Sequence, residues 1–122
     1  MKQVTMISAV IAAALVARSG AAEEKLQKLT GSQIRAKLAG FEFTDKIHFR
    51  DFYERSGKLT SSSMGRKRTG KWRVEKDQFC IELDKEPPAK CYEVWAAGKK
   101  VELRGEGVLP LQGVLESPTG RK

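Results

Sequence analysis

Gly70 to Trp95 reads GKWRVEKDQFCIELDKEPPAKCYEVW, and this stretch decides the fold. It holds both tryptophans, both cysteines and the clearest two-residue alternation in the chain. Trp72 and Val74, then Phe79, Ile81 and Leu83, then Tyr92 and Val94 alternate with charged or polar neighbours, the pattern of strands with one wet and one apolar face. Lys76-Asp77 and Glu86-Pro87-Pro88 supply turns between them. The stretch therefore predicts three short antiparallel strands.

The same period extends in both directions. Phe41 and Phe43, then Ile47 and Phe49, precede it, and Ala96, Val101 and Leu103 follow. Ser56-Gly57, Ala97-Gly98 and Gly105-Glu106-Gly107 punctuate the runs. Only Leu29 to Gly40 suits a helix: Thr30 or Ser32 can cap it, Ile34 and Leu38 fall on one face, and Gly40 can end it. The expected fold is mainly β, an antiparallel meander of six to eight strands. It curls into a small or partly open barrel, with one short N-terminal helix plugging an end or side.

Length leaves room for one domain. Lys2, the apolar run Met6 to Val16 and the small residues Ser19 to Ala22 predict a secretory signal peptide over residues 1–22, with Arg18 stopping the run short of a membrane span. Its removal takes away two cations, Lys2 and Arg18, and no acid, lowering the formal charge from +8 to +6. A single disulfide-stapled β-domain over 23–115 and a flexible tail over 116–122 follow. The expected compartment is the periplasm or the exterior, with no membrane-spanning segment once the leader is gone.

Inward Phe79, Ile81 and Leu83 turn Cys80 outward, and inward Tyr92 and Val94 turn Cys91 outward. Both thiols then share one face of adjacent strands, which favours a structural disulfide. It closes a short ring worth roughly 3 kcal/mol in the chain-entropy model. A reactive pair or a metal site fits less well, because the spacing is not CxxC and His48, the lone histidine, cannot complete a zinc site. No metal and no cofactor is expected.

From Arg55 to Val74 the chain carries Arg55, Lys58, Arg66, Lys67, Arg68, Lys71 and Arg73 and no acid. Gly65 to Gly70 reads as a hairpin tip, with Lys71 and Arg73 continuing down the wet face. Such a patch would attract an anionic surface, a head group or an acidic protein partner. Nucleic acid fits poorly, since no aromatic residues interleave with the cations as a stacking platform requires. The ordinary role of these residues is to keep an edge strand soluble.

Three functions compete. The first is an exported binding or accessory module that uses this basic hairpin. The second is a small-molecule carrier whose interior is lined by Phe43, Phe49, Trp72, Ile81 and Tyr92. The third, less favoured, is a hydrolase built on His48, with Asp45 or Asp51 to orient it and a hydroxyl from Ser61 to Ser63. Those serines lack the glycines of a nucleophile elbow, and Gly65 to Gly70 lacks the spacing of a phosphate loop. The oligomeric state is left open.

Gly70-Lys-Trp72-Arg-Val74, Phe79-Cys80 and Cys91-Tyr92-Glu-Val94, preceded by Leu29-Thr-Gly31 and Leu38-Ala-Gly40, resemble a family of uncharacterised small exported proteins of Gram-negative bacteria. These share a glycine-x-tryptophan strand, a two-cysteine hairpin and a Leu-Thr-Gly helix start. The resemblance covers most of Leu29 to Leu115 and implies export, a disulfide and a β-fold. It brings no catalytic residue. The chain departs from it at Lys76-Asp77, where a glycine is more usual, and in the basic Arg66 to Arg68 segment.

Overall fold

The computed structural model describes residues 25–118. The expected leader, residues 1–22, and the last four residues of the expected tail lie outside that range. Strand β1 (Gln27–Lys28) and helix α1 (Gly31–Leu38) come first. There follow β2 (Glu42–Thr44), β3 (Phe49–Tyr53), β4 (Lys58–Ser63), β5 (Arg66–Glu75), β6 (Gln78–Leu83), β7 (Glu86–Ala97), β8 (Lys100–Arg104) and β9 (Leu111–Glu116).

Strands β2 to β9 are all antiparallel, and each pairs with two neighbours until β9 meets β2 and β8 meets β7. The sheet is thus a closed eight-stranded barrel, where sequence alone allowed a partly open one. Closure removes both sheet edges. Strand β1 lies outside the ring, against the far end of β7, where Lys28 opposes Trp95.

Alternation divides each strand between the interior and solvent. Phe43, Tyr53, Leu59, Trp72, Phe79, Val94, Val101, Leu103 and Leu115 are buried inside. Tyr53 and Phe79 meet edge to face with centroids 4.9 Å apart, and Trp72 lies 5.8 Å from Phe79 and 6.3 Å from Tyr53. Strands β5 and β6 approach closely at Gly70. A Cβ on Gly70 would stand 2.3 Å from the Glu82 carbonyl oxygen, so only glycine lets the two backbones approach there.

Helix α1 closes one end. Thr30 caps it: its hydroxyl accepts from the Gln33 amide, and the Gln33 side chain accepts from the Thr30 amide at 2.8 Å. Ile34 and Leu38 are fully buried beneath it, and Arg35 lies over the Trp72 ring at 5.6 Å. The helix start is docked on the β5–β6 turn, where the Gly31 amide donates to Asp77 at 2.7 Å. A Cβ on Gly31 would fall 2.2 Å from the Lys76 carbonyl oxygen, so the glycine of the Leu-Thr-Gly start is dictated by contact with this turn.

Cys80 and Cys91 are directly opposed in the β6–β7 ladder and form a disulfide, with Cα atoms 4.0 Å apart. They face outward, as alternation predicts, yet Cys80 is fully buried. Three boundaries differ from expectation. Arg66 to Arg68 belong to β5, and the hairpin tip is Met64-Gly65. Pro87 and Pro88, joined by a cis peptide bond, lie within β7, and the turn before them is Asp84-Lys85. Glu116, placed by sequence in the tail, is the last residue of β9, held by Lys46 at 3.0 Å and Arg50 at 3.4 Å.

Candidate functional site

The end of the barrel opposite α1 is open. A cavity of about 240 Å3 enters it there, with Leu59, Ile81, Leu83, Leu103 and Leu111 on its apolar side. Its polar side is built by register. Asp51 on β3 opposes Ser61 on β4, and Ser61 opposes Arg68 on β5, so three inward positions at one level carry polar groups. The Ser61 hydroxyl donates to Asp51 at 2.6 Å, and Arg68 donates to Glu86 at 2.9 and 3.1 Å. Lys90, Pro88 and Tyr92 complete the wall.

Burial holds the Asp51 carboxyl above its ordinary range, against the opposing pull of the Ser61 hydrogen bond and the Arg68 charge. Tyr53 lies beneath, and its phenol is pushed well above its ordinary range by burial first and then by the neighbouring Asp51 and Tyr92. Burial raises Tyr92 as well. Among the described residues, just two buried side-chain polar atoms lack a hydrogen-bond partner: the Tyr53 hydroxyl and the Arg68 Nε. Arg68 stands in the wall of this cavity, while Tyr53 belongs to the core and does not line it.

The five residues expected to line an interior pocket all face inward, but they divide. Ile81 and Tyr92 line the cavity. Trp72 and Phe43 are core, filling the barrel below it, and Phe49 packs on Phe43 at 5.3 Å. Asp51 and Ser61, which sequence reasoning named only as companions of His48, meet here without it. Tyr53 and Glu86 were not singled out, although FRDFY offered a signal: an acid in the inward phase between Phe49 and Tyr53.

The seven cations from Arg55 to Arg73 do not share one surface. A ten-residue strand alternates, so β5 sends Arg68 into the mouth while Lys67, Lys71 and Arg73 face out. Lys71 opposes Lys58 on the outer face, and Arg73 is paired with Glu75 and Glu82. Arg55 lies against Gly40 at the closed end. Arg66 and Lys67 remain together at the open rim.

His48 is exposed on the β2–β3 loop, with its Nδ1 2.7 Å from Asp45. Desolvation alone would raise the Asp45 carboxyl, but the amides of Ile47, His48 and Phe49 and the His48 ring hold it far below its ordinary range. Ser61 is engaged with Asp51 and not with His48. On the outer wall Arg104 stacks over Trp95 at 4.0 Å, while the Trp95 indole donates to Glu93 at 3.0 Å. Glu75, Cys80 and Cys91 form the one cluster of metal-ligating groups among the described residues, and there the thiols are consumed by the disulfide.

Among the described residues no helix is long and apolar enough to cross a membrane. Comparison with protein-family models, with curated proteins and with solved structures gave no match.

Proposed function

We propose that this chain is an exported binding module, acting in the periplasm or outside the cell, which holds a small amphiphilic molecule in the mouth of its barrel. The observation that carries the reading is the unpartnered buried Nε of Arg68 in the wall of a half-apolar cavity, with a second unpartnered polar atom, the Tyr53 hydroxyl, in the core near the lining residues Asp51 and Tyr92. Leaving a buried polar group unsatisfied costs about 1–3 kcal/mol. A fold retains such a cost where an incoming molecule supplies the missing partner.

The ligand chemistry follows from the walls. Arg68 Nε–H can only donate, so the part of the ligand that meets it carries an acceptor oxygen. The leucines and Ile81 accept a hydrocarbon flank. A cavity of about 240 Å3 takes a small molecule or one end of a larger one. The disulfide supports export, because such bonds persist in oxidising compartments.

Native mass spectrometry of unreduced protein recovered from cells tests this directly. A dissociable organic adduct is expected on the native chain and not on Ser61→Trp, which fills the mouth. Arg68→Lys, which removes the Nε donor from the cavity wall, is expected to weaken the adduct, and Tyr53→Phe is expected to raise stability by about 1 kcal/mol, since it deletes an unsatisfied hydroxyl. Recovery of the bare mass, together with a loss of stability in Tyr53→Phe, would overturn the reading.

A further inference from the structure

The barrel is apolar at its rim as well as in its core. Of the exposed large hydrophobic residues among those described, Ile47, Met64, Val108, Leu109 and Leu111 all stand at the open end, and Phe41 alone lies at the other. The first four are 81, 74, 58 and 89% exposed. They come from three separate connections, β2–β3, β4–β5 and β8–β9, so their meeting is a product of the topology and not of one apolar run.

The loops that present them are built. Asp45 accepts from the amides of Ile47, His48 and Phe49, which fixes the β2–β3 loop with Ile47 outward. The Met64 amide donates to the His48 carbonyl at 3.0 Å, tying the β4–β5 tip to that loop. The charges of this end are unequal. Asp45 is bound to its own loop, Asp84 accepts from Thr69 at 2.6 Å, and Glu86 holds Arg68. Among the described residues, Arg66, Lys67 and Lys85 have no acid within ion-pair distance, and Glu106 is the one acid of this end left without a partner.

We propose that the open rim docks on an anionic lipid bilayer, with Ile47, Met64, Val108 and Leu109 entering the head-group layer and Arg66, Lys67 and Lys85 meeting lipid phosphates. Separate aliphatic tips around a hole, flanked by free cations, match a peripheral membrane contact, where apolar insertion and attraction to anionic lipid add. A protein partner would instead call for a continuous patch anchored by aromatic residues, and the rim offers neither. The inference does not rest on what the cavity holds.

Vesicle flotation of the full chain tests it, using phosphatidylcholine vesicles with and without one quarter phosphatidylglycerol, at low and at physiological salt. Binding to the anionic vesicles alone is expected. Ile47→Ser, Met64→Ser and Leu109→Ser combined should lower partitioning about tenfold or more. Arg66→Gln with Lys67→Gln should weaken binding and flatten its salt dependence. Phe41→Ser and Lys58→Gln, away from the rim, should change neither. All are exposed positions, and an unaltered thermal melt confirms that each variant is folded.

No binding to anionic vesicles overturns the proposal. So does binding that ignores the three serine substitutions, which would reduce it to general charge attraction. Self-association without lipid, abolished by the same serines, would assign the rim to a second copy of the chain instead.

Discussion

Asp51 carries a carboxyl into the half-apolar mouth of the barrel, and burial raises it above the ordinary value of 3.8. The folded state therefore keeps a proton that the unfolded chain has already released, so stability declines as pH rises from 3.8 through the folded-state value. Asp51→Asn keeps an acceptor for the Ser61 hydroxyl and removes the titration. The variant is expected to match the native protein in acid below that window and to exceed it at neutral pH, read as urea midpoints at pH 3.5 and pH 7. Equal pH dependence in both proteins would show that Arg68 already neutralises the burial cost. A carboxylate kept where its charge is disfavoured fits a site selected for binding rather than for stability.

At the scale of the element, α1 spans eight residues, far too few to persist alone, so its cap and its buried stripe decide whether it forms. Thr30→Ala removes the hydroxyl that accepts from the Gln33 amide, leaves the backbone amide of residue 30 still donating to the Gln33 side chain, and is expected to cost about 1 kcal/mol, seen as a lower urea midpoint with an unchanged slope. This helix was legible in sequence because Thr30, Ile34, Leu38 and Gly40 act through local geometry. So was the cysteine pair, since strand parity alone placed both thiols on one face. Strand β4, KLTSSS, was not: Leu59 is its one large apolar inward residue, and Ser61 occupies the next inward position because it faces a cavity. The same reason hid Arg68, which read as surface until register set it opposite Ser61. The site escaped sequence reading because its polar residues sit on four strands, and their level in the barrel is fixed by long-range pairing, which local pattern does not encode.

On the scale of the whole molecule, the barrel depends on β9, the last strand, reaching β2, the first of the ring. Phe43 opposes Leu115 across that seam, and both are buried. Arg50 spans it on the outside, donating to Glu42 at 2.7 Å and to Glu116 at 3.4 Å. On the other flank, β9 pairs with β8 from Lys100–Val114 to Leu103–Leu111. One strand of six residues thus satisfies the edges of two others and covers the core at Leu115. A chain ended after Pro110 keeps the helix, the disulfide and every aromatic of the core, yet leaves β2 and β8 with open edges facing each other. Unpaired edges recruit other chains, so this truncation is expected to sediment as large aggregates while the full chain does not. A monomeric truncated protein with an unaltered melt would mean that the disulfide-stapled hairpin and α1 hold the fold without closure. Because β9 also brings Leu111 to the mouth and follows the loop of Val108 and Leu109, closure and the rim depend on the same segment, and losing the strand should abolish vesicle binding together with monomeric stability.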